Sequence, residues 1–103
     1  MEVTFMALHT EISEAVRKHA IERLDRLGRI ERRPTHAEVR LDEERGRMKA
    51  EIRLVVMGGA TFHAEGGGPN QHAAVDSAVE RLKRQINREH ERVIDHQAPK
   101  ISP

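Results

Sequence analysis

Apolar residues recur along the chain with two different spacings, and these spacings predict its helices and strands. Residues 70–93 carry apolar side chains every three or four positions, which is the period of an amphipathic α-helix. The apolar stripe of this helix consists of Val75, Ala78, Val79, Leu82, Ile86 and Val93. A second segment with the same period begins after an N-cap at Ser13 and ends near Leu27. Its apolar positions are Ile12, Val16, Ala20, Leu24 and Leu27.

Strict alternation of apolar and polar residues predicts four strands. Their apolar positions are, in chain order, Val3, Phe5 and Ala7, then Ala37, Val39 and Leu41, then Ala50, Ile52, Leu54 and Val56, and finally Ala60, Phe62 and Ala64. Turns are predicted at Glu43–Gly46 and Gly58–Gly59. The glycines of Gly66–Gly68 are interpreted as a flexible loop, and Asn70 as the N-cap of the second helix.

The resulting order is β-α-β-β-β-α, and it predicts an α/β fold. Each strand keeps one polar face, so the sheet must be covered on one side only and both helices must lie there. A right-handed crossover should make the first two strands parallel, and strands two to four should form an antiparallel meander. We therefore expect an α+β two-layer sandwich with a four-stranded mixed sheet. Residues 1–95 should form one domain, and residues 96–103 a disordered C-terminal tail.

Composition narrows the classes of function. The 103 residues include 18 Lys and Arg against 17 Asp and Glu, so binding to nucleic acid would require segregated charge. Cysteine is absent, which excludes disulfides, thiol nucleophiles and thiolate metal ligands. Phe5 and Phe62 are the whole Phe, Tyr and Trp content, which disfavours an aromatic platform for stacking bases. No segment reads as a signal peptide or a membrane span, so we expect a cytoplasmic protein without membrane contacts.

Segregated positive charge is predicted on both helices. At about 100° per residue, the second helix gathers four arginines into a stripe away from its apolar side, and the first helix carries two beside its apolar stripe. If the helices pack side by side, Arg23 and Arg26 would line one side of a groove and some arginines of the second helix the other. Two such rows roughly 10 Å apart would suit a phosphate backbone. The alternative is an ordinary solvated charged face.

Two helical segments also resemble a known family. EISEAVRKHAIERLDRL and AAVDSAVERLKRQINR, with the Gly-Gly hairpin and the following His63-Ala64, are similar to ribosome hibernation promoting factors and ribosome-associated inhibitor A, once called sigma-factor modulation proteins. The similarity covers residues 1 to about 95 and is to the short form, without the second domain by which long members pair ribosomes. His19 stands where the family commonly has an aromatic residue, and the pair Gln71-His72 stands where it usually has Met-Tyr.

This resemblance implies a partner and a set of RNA contacts. Members bind rRNA of the small ribosomal subunit in the decoding channel, in the A- and P-site region. They block tRNA and mRNA binding and silence idle ribosomes under stress or in stationary phase. The resemblance implies no cofactor, and we expect a monomer in isolation. Carried over to this chain, the RNA-binding positions are Arg23, Arg26, Arg81, Arg84, Arg88 and Arg92.

The residue patterns do not favour catalysis or metal binding. The seven histidines are scattered, and none forms an H-E-x-x-H motif or a helical pair of ligands. The carboxylates of Asp42, Glu43 and Glu44 fall in an exposed hairpin, where no burial would prepare them for general acid catalysis. We therefore predict no catalytic residue, no metal site and no small-molecule substrate. The alternative function is an interaction module that binds an acidic protein, such as a transcription or sigma factor.

Overall fold

Four strands and two long helices follow one another in the predicted β-α-β-β-β-α order. The computed structural model describes residues 1–31 and 34–97. The elements are β1 (Glu2–Leu8), α1 (Glu14–Arg26) with a 3-10 turn (Leu27–Arg29), β2 (Pro34–Glu44), β3 (Arg47–Val56), β4 (Thr61–Gly68) and α2 (Gln71–Gln97).

The sheet has the order β1-β2-β3-β4 and is mixed. β1 pairs with β2 in parallel, whereas β2 with β3 and β3 with β4 are antiparallel. The turn between β2 and β3 consists of Arg45 and Gly46, both with positive φ, as a two-residue hairpin turn requires. The predicted topology of the sheet is confirmed.

A single hydrophobic core lies between the sheet and the two helices. The buried apolar side chains of the strands are Ala37, Val39, Leu41, Met48, Ala50, Ile52, Leu54, Val56 and Ala64. Those of the helices are Val16, Ala20 and Leu24 from α1 and Ala74, Val75, Ala78, Val79, Leu82 and Ile86 from α2. Both helices therefore lie on one face of the sheet, as predicted, while the side chain of Val93 lies outside the described part.

The predicted helix N-caps are both present. Ser13 Oγ accepts a hydrogen bond from the backbone N–H of Val16 at 3.2 Å. Asn70 Oδ1 accepts one from the N–H of Ala73 at 2.8 Å. Each cap satisfies a backbone donor that the first helical turn leaves without a partner. The hydrogen bonds thus fix where each helix begins.

The prediction of a flexible loop at Gly66–Gly68 is wrong, because these glycines form the last part of β4. They pair in register with residues 48–50 of β3. A Cβ built on Gly66 would lie 2.7 Å from the Cβ of Ser77, and one on Gly68 would lie 2.7 Å from the Cβ of Ala73. Gly66 and Gly68 are needed because α2 packs directly on the backbone of β4, whereas Gly67 has room for a Cβ.

The C-terminal boundary of α2 lies beyond the predicted one. The helix continues to Gln97, so His96 and Gln97, which were assigned to the tail, are helical. The rest of the predicted tail, residues 98–103, lies outside the described residues. Within the described ranges 1–31 and 34–97, no helix is both long and apolar enough to cross a membrane.

Candidate nucleic-acid interface

The outward side of α2 carries an arginine row, which we define as Arg81, Arg84, Arg88 and Arg92. All four are exposed, whereas Val79, Leu82 and Ile86 on the other side of the same helix are buried. The row extends over about 16 Å, because an α-helix rises about 1.5 Å per residue. A row of guanidinium groups at this spacing can contact successive phosphates of a nucleic-acid strand.

Contacts with β4 show which edge of α2 the row follows. Arg81 donates from Nη1 to the backbone carbonyl of Glu65 at 2.9 Å. Arg88 and Arg92 line a shallow cleft of about 360 Å³ together with Phe62 and Gln85. The row therefore runs along the β4 side of the helix, over the edge of the sheet, rather than along the groove between the helices.

Gln85 holds this edge of the sheet in place. The backbone N–H of His63 donates to Gln85 Oε1 at 3.2 Å, and Gln85 Nε2 donates to the carbonyl of the same residue. A single carboxamide thus makes both hydrogen bonds that a neighbouring strand would make. The free edge of β4 is protected against pairing with another strand, and α2 is fixed in register above it.

The groove between the helices differs from the prediction, because α2 turns carboxylates into it. Arg23 of α1 donates from Nη2 to Glu80 Oε1 at 2.9 Å, and its Nε lies 3.3 Å from Asp76 Oδ1 without the geometry of a hydrogen bond. The Arg23 side chain is only 23% exposed. The prediction that arginines line both sides of this groove is therefore wrong. Sequence analysis did not identify this acidic edge, although it could have been inferred from the four-residue spacing of Asp76 and Glu80.

The ion pair across the groove also shifts the pKa of the Glu80 carboxyl. The hydrogen bond from Arg23 lowers the pKa of the Glu80 carboxyl below its ordinary value, against a smaller opposing effect of burial. The positive charges of Lys83 and Arg84 act in the same direction. Glu80 therefore favours its ionised form, which keeps the link between α1 and α2 charged.

Of the three positions at which the sequence departs from the family that it resembles, His19 and His72 lie beside each other. Their ring centroids are 4.9 Å apart with the rings tilted by 48°, and His19 Nε2 lies 2.6 Å from Asp76 Oδ1. Nearby, Gln71 donates from Nε2 to the carbonyl of Glu11 at 2.7 Å. Both replacements therefore belong to the contact between the helices. Sequence analysis could not pair them, since they are far apart along the chain.

The remaining predicted positions differ in whether their guanidinium groups are paired. Among the described residues, Arg26, Arg84 and Arg88 form no ion pair, whereas Arg92 Nη1 lies 3.6 Å from Glu89 Oε2. Arg26 is exposed in the last turn of α1. Of the six predicted RNA-binding arginines, α2 thus brings four together, Arg26 lies on the neighbouring helix, and Arg23 is held by carboxylates.

Two basic residues that sequence analysis did not select lie near the start of the arginine row. Arg47 and Lys49 line a second cleft, together with Arg81 and the backbone of Gly66 and Gly67. They alternate with buried Met48 and Ala50 on β3, so their exposure follows from the strand pattern. Their proximity to Arg81 does not follow from the strand pattern, because it depends on the close packing of α2 on β4.

Comparison with known proteins places this arrangement in a family. A family model described as Sigma 54 modulation protein / S30EA ribosomal protein matches residues 3–94. The N-terminal domain of Protein Y from Thermus thermophilus has a similar structure, with a TM-score of 0.76 and 30% sequence identity over 85% of this chain and 98% of that one. The comparison with curated proteins gives no match.

A second solved structure supports the fold alone. A ribosomal subunit interface protein from Coxiella burnetii aligns with a TM-score of 0.80, covering 88% of this chain and 99% of that one at 15% identity. The family match, by contrast, extends from β1 through most of α2 and includes the whole arginine row. The chain belongs to the Sigma 54 modulation protein / S30EA ribosomal protein family, the ribosome-associated hibernation factors that its helices resemble.

Proposed function

We propose that this protein binds rRNA of the small ribosomal subunit in the decoding channel, around the A and P sites, and blocks tRNA and mRNA binding under stress or in stationary phase. The proposed function is binding rather than catalysis. The protein would act as a monomer in the cytoplasm. The observation that carries it is the arginine row of α2, whose central members Arg84 and Arg88 are exposed and form no ion pair among the described residues.

The chemistry of the row suits a phosphate backbone better than base recognition. A guanidinium donates to phosphate oxygens in a fixed planar fork and stays charged at any physiological pH. Phe5 and Phe62 are both partly buried against the core, which disfavours stacking of bases on an exposed aromatic platform. The structure thus favours recognition of RNA shape and charge over recognition of sequence.

The six arginines proposed to contact RNA differ in whether their guanidinium groups already have partners within the protein. Arg26, Arg84 and Arg88 can bind phosphate directly, while Arg92 would first leave Glu89 and Arg81 already donates one hydrogen bond to the sheet. Arg23 could reach RNA only by exchanging two carboxylates for phosphate. We therefore propose that Arg23 mainly joins the helices and that Arg84 and Arg88 carry most of the affinity.

The test is sedimentation of purified small subunits with the Arg84→Glu/Arg88→Glu double variant. Binding should fall sharply, because each lost phosphate contact removes counterion release and adds repulsion. The free energy of unfolding should change by less than about 1 kcal/mol, since both side chains are exposed. A Glu89→Gln/Glu91→Gln variant is the control and should bind at least as well as the parent. If the arginine variant sedimented with small subunits to the same extent as the parent at moderate salt, the proposal would be refuted.

Ribonuclease treatment distinguishes the alternative function. If the protein bound an acidic protein partner, its co-purification with that partner would survive digestion of RNA. Loss of co-purification after ribonuclease supports binding to rRNA. Survival, with release only by high salt, would favour the acidic partner, because ion pairs between proteins are screened in the same way as phosphate contacts.

A further inference from the structure

The outer face of the sheet, opposite the helices, brings three metal-ligating side chains together. Glu51 on β3 and His63 and Glu65 on β4 each offer a ligand atom, and these atoms all lie within 4.8 Å of one another. We propose that this cluster binds a divalent transition-metal ion of the Zn²⁺ class. The proposed site lies on the opposite face of the sheet from the arginine row and does not depend on the proposed RNA-binding function.

Strand pairing brings the two carboxylates close together. Glu51 lies directly opposite Glu65 in the β3-β4 register. The N–H and carbonyl of His63 bond to Gln85, and the carbonyl of Glu65 bonds to Arg81, so both residues direct their backbone groups away from β3. They therefore occupy the non-hydrogen-bonded positions of the antiparallel ladder, where facing side chains approach most closely.

Two like charges facing each other at this short distance are unfavourable unless a cation lies between them. At present three basic side chains lie beside these carboxylates. Arg40 lies directly opposite Glu51 in the β2-β3 register. His63 Nε2 lies 3.3 Å from Glu51 Oε1, and Lys49 Nζ lies 3.5 Å from Glu65 Oε2. A divalent ion would neutralise both carboxylates at once and would accept the imidazole nitrogen as a third ligand.

The donor set determines the class of ion. The cluster offers one imidazole nitrogen and two carboxylate oxygens and leaves positions for water, and Zn²⁺ accepts both kinds of ligand. Mg²⁺ and Ca²⁺ prefer oxygen ligands alone, so the imidazole should disfavour them.

The cluster is also accessible and firmly supported. The side chains of Glu51, His63 and Glu65 are 35%, 49% and 43% exposed, so an ion can reach all three from solvent. Their backbones belong to paired strands, and Gln85 and Arg81 fix the outer edge of β4. The histidine spacing along the sequence gave no sign of this site, because strand pairing rather than helical periodicity assembles it.

The experiment is calorimetric titration of the full chain with ZnCl₂, with MgCl₂ as the comparison. We expect one Zn²⁺ per chain at this site and much weaker Mg²⁺ binding. His63→Ala and Glu65→Gln should each weaken Zn²⁺ binding by at least about tenfold, because even loss of a group that only supports a ligand costs about that much. Lys49→Ala should strengthen it, because Lys49 competes with the ion for Glu65.

His9→Ala is the matched control for the other histidines. His9 is 78% exposed and lies 3.1 Å from Asp42, away from the cluster, so this variant should bind Zn²⁺ like the parent. All three ligand residues are at the surface, and circular dichroism should show each variant folded. Unchanged Zn²⁺ affinity in both His63→Ala and Glu65→Gln, or equal affinities for Zn²⁺ and Mg²⁺, would overturn the proposal. Neither result would bear on binding to the ribosome.

Discussion

Gly66 is the residue on which the contact between α2 and β4 depends most closely. A Cβ at this position would meet the backbone N of Ala78 and would lie 2.7 Å from the backbone C of Ser77. Backbone atoms inside a helix cannot rotate out of the way as the end of a flexible side chain can. The absence of a side chain at Gly66 therefore lets the helix lie directly on the strand.

We expect Gly66→Ala to destabilise the protein by about 1–3 kcal/mol, because α2 must shift away from the sheet to make room for the methyl group. Urea denaturation followed by circular dichroism measures the change. The same shift would strain the hydrogen bond from Arg81 to Glu65. The effect on stability should therefore be accompanied by altered accessibility of the arginine row.

The neighbouring glycine provides the control for this prediction. At Gly67 the nearest atom to an added Cβ is the carbonyl O of Met48, at an ordinary 3.6 Å. Gly67→Ala should therefore change the free energy of unfolding by less than about 0.5 kcal/mol. Equal effects of the two substitutions would show that close packing of α2 is not the reason for glycine at position 66.

At the scale of whole elements, α1 and α2 are joined by charge as well as by the core. Arg23 contacts both Asp76 and Glu80, and His19 contacts Asp76. A carboxyl whose pKa is lower in the folded protein stabilises that state above its unfolded pKa. The contribution is lost as the pH falls through the folded value. For Glu80 this window lies below its ordinary pKa of 4.5.

We predict that Glu80→Gln lowers stability at pH 7 by no more than about 1 kcal/mol, the usual range for exposed ion pairs. The difference in stability between the variant and the parent should shrink as the pH falls below 4.5. Thermal melts of both proteins across this range measure it. Comparing the two removes the contribution of Glu51, whose pKa is also lowered. A difference that does not change with pH would mean that the Arg23 pair adds nothing to folding.

Periodicity predicted each element and its buried side, because both depend on residues close together in sequence. Ser13 and Asn70 could be assigned as caps for the same reason. The assignment of Gly66–Gly68 as a loop failed because glycine has no side chain and therefore shows no apolar-polar alternation. Only the packing of α2 shows why glycine is needed at positions 66 and 68. Local patterns thus predict elements but not the closeness of their approach.

The candidate site shows the same limit. The arginine row lies on one helix and could be predicted from helical geometry alone. The residues that line the groove could not be predicted in this way, because they depend on how α2 is rotated relative to α1. That rotation places Asp76 and Glu80 opposite Arg23. The Glu51, His63 and Glu65 cluster needed the register of two strands.

Across the whole molecule, charge is divided between two faces. The formal net charge is only +1. On the outer face of the sheet, positive groups lie beside carboxylates, as with Arg53 and Glu38 at 3.8 Å and Lys49 and Glu65 at 3.5 Å. On the helical side, the arginine row carries guanidinium groups at its centre without such partners among the described residues. Positive potential should therefore concentrate over α2.

This division predicts how RNA binding depends on salt. Arg84→Gln/Arg88→Gln should weaken binding and reduce the slope of log affinity against log salt concentration by roughly two, since each phosphate contact contributes about one unit. Arg40→Gln/Arg53→Gln removes the same charge from the outer face of the sheet and should leave both affinity and slope close to those of the parent. Titration of small subunits at several salt concentrations measures both quantities. If the two variants lost the same slope, net charge rather than the arginine row would govern binding, and the placement of arginine on α2 would have no role in recognition.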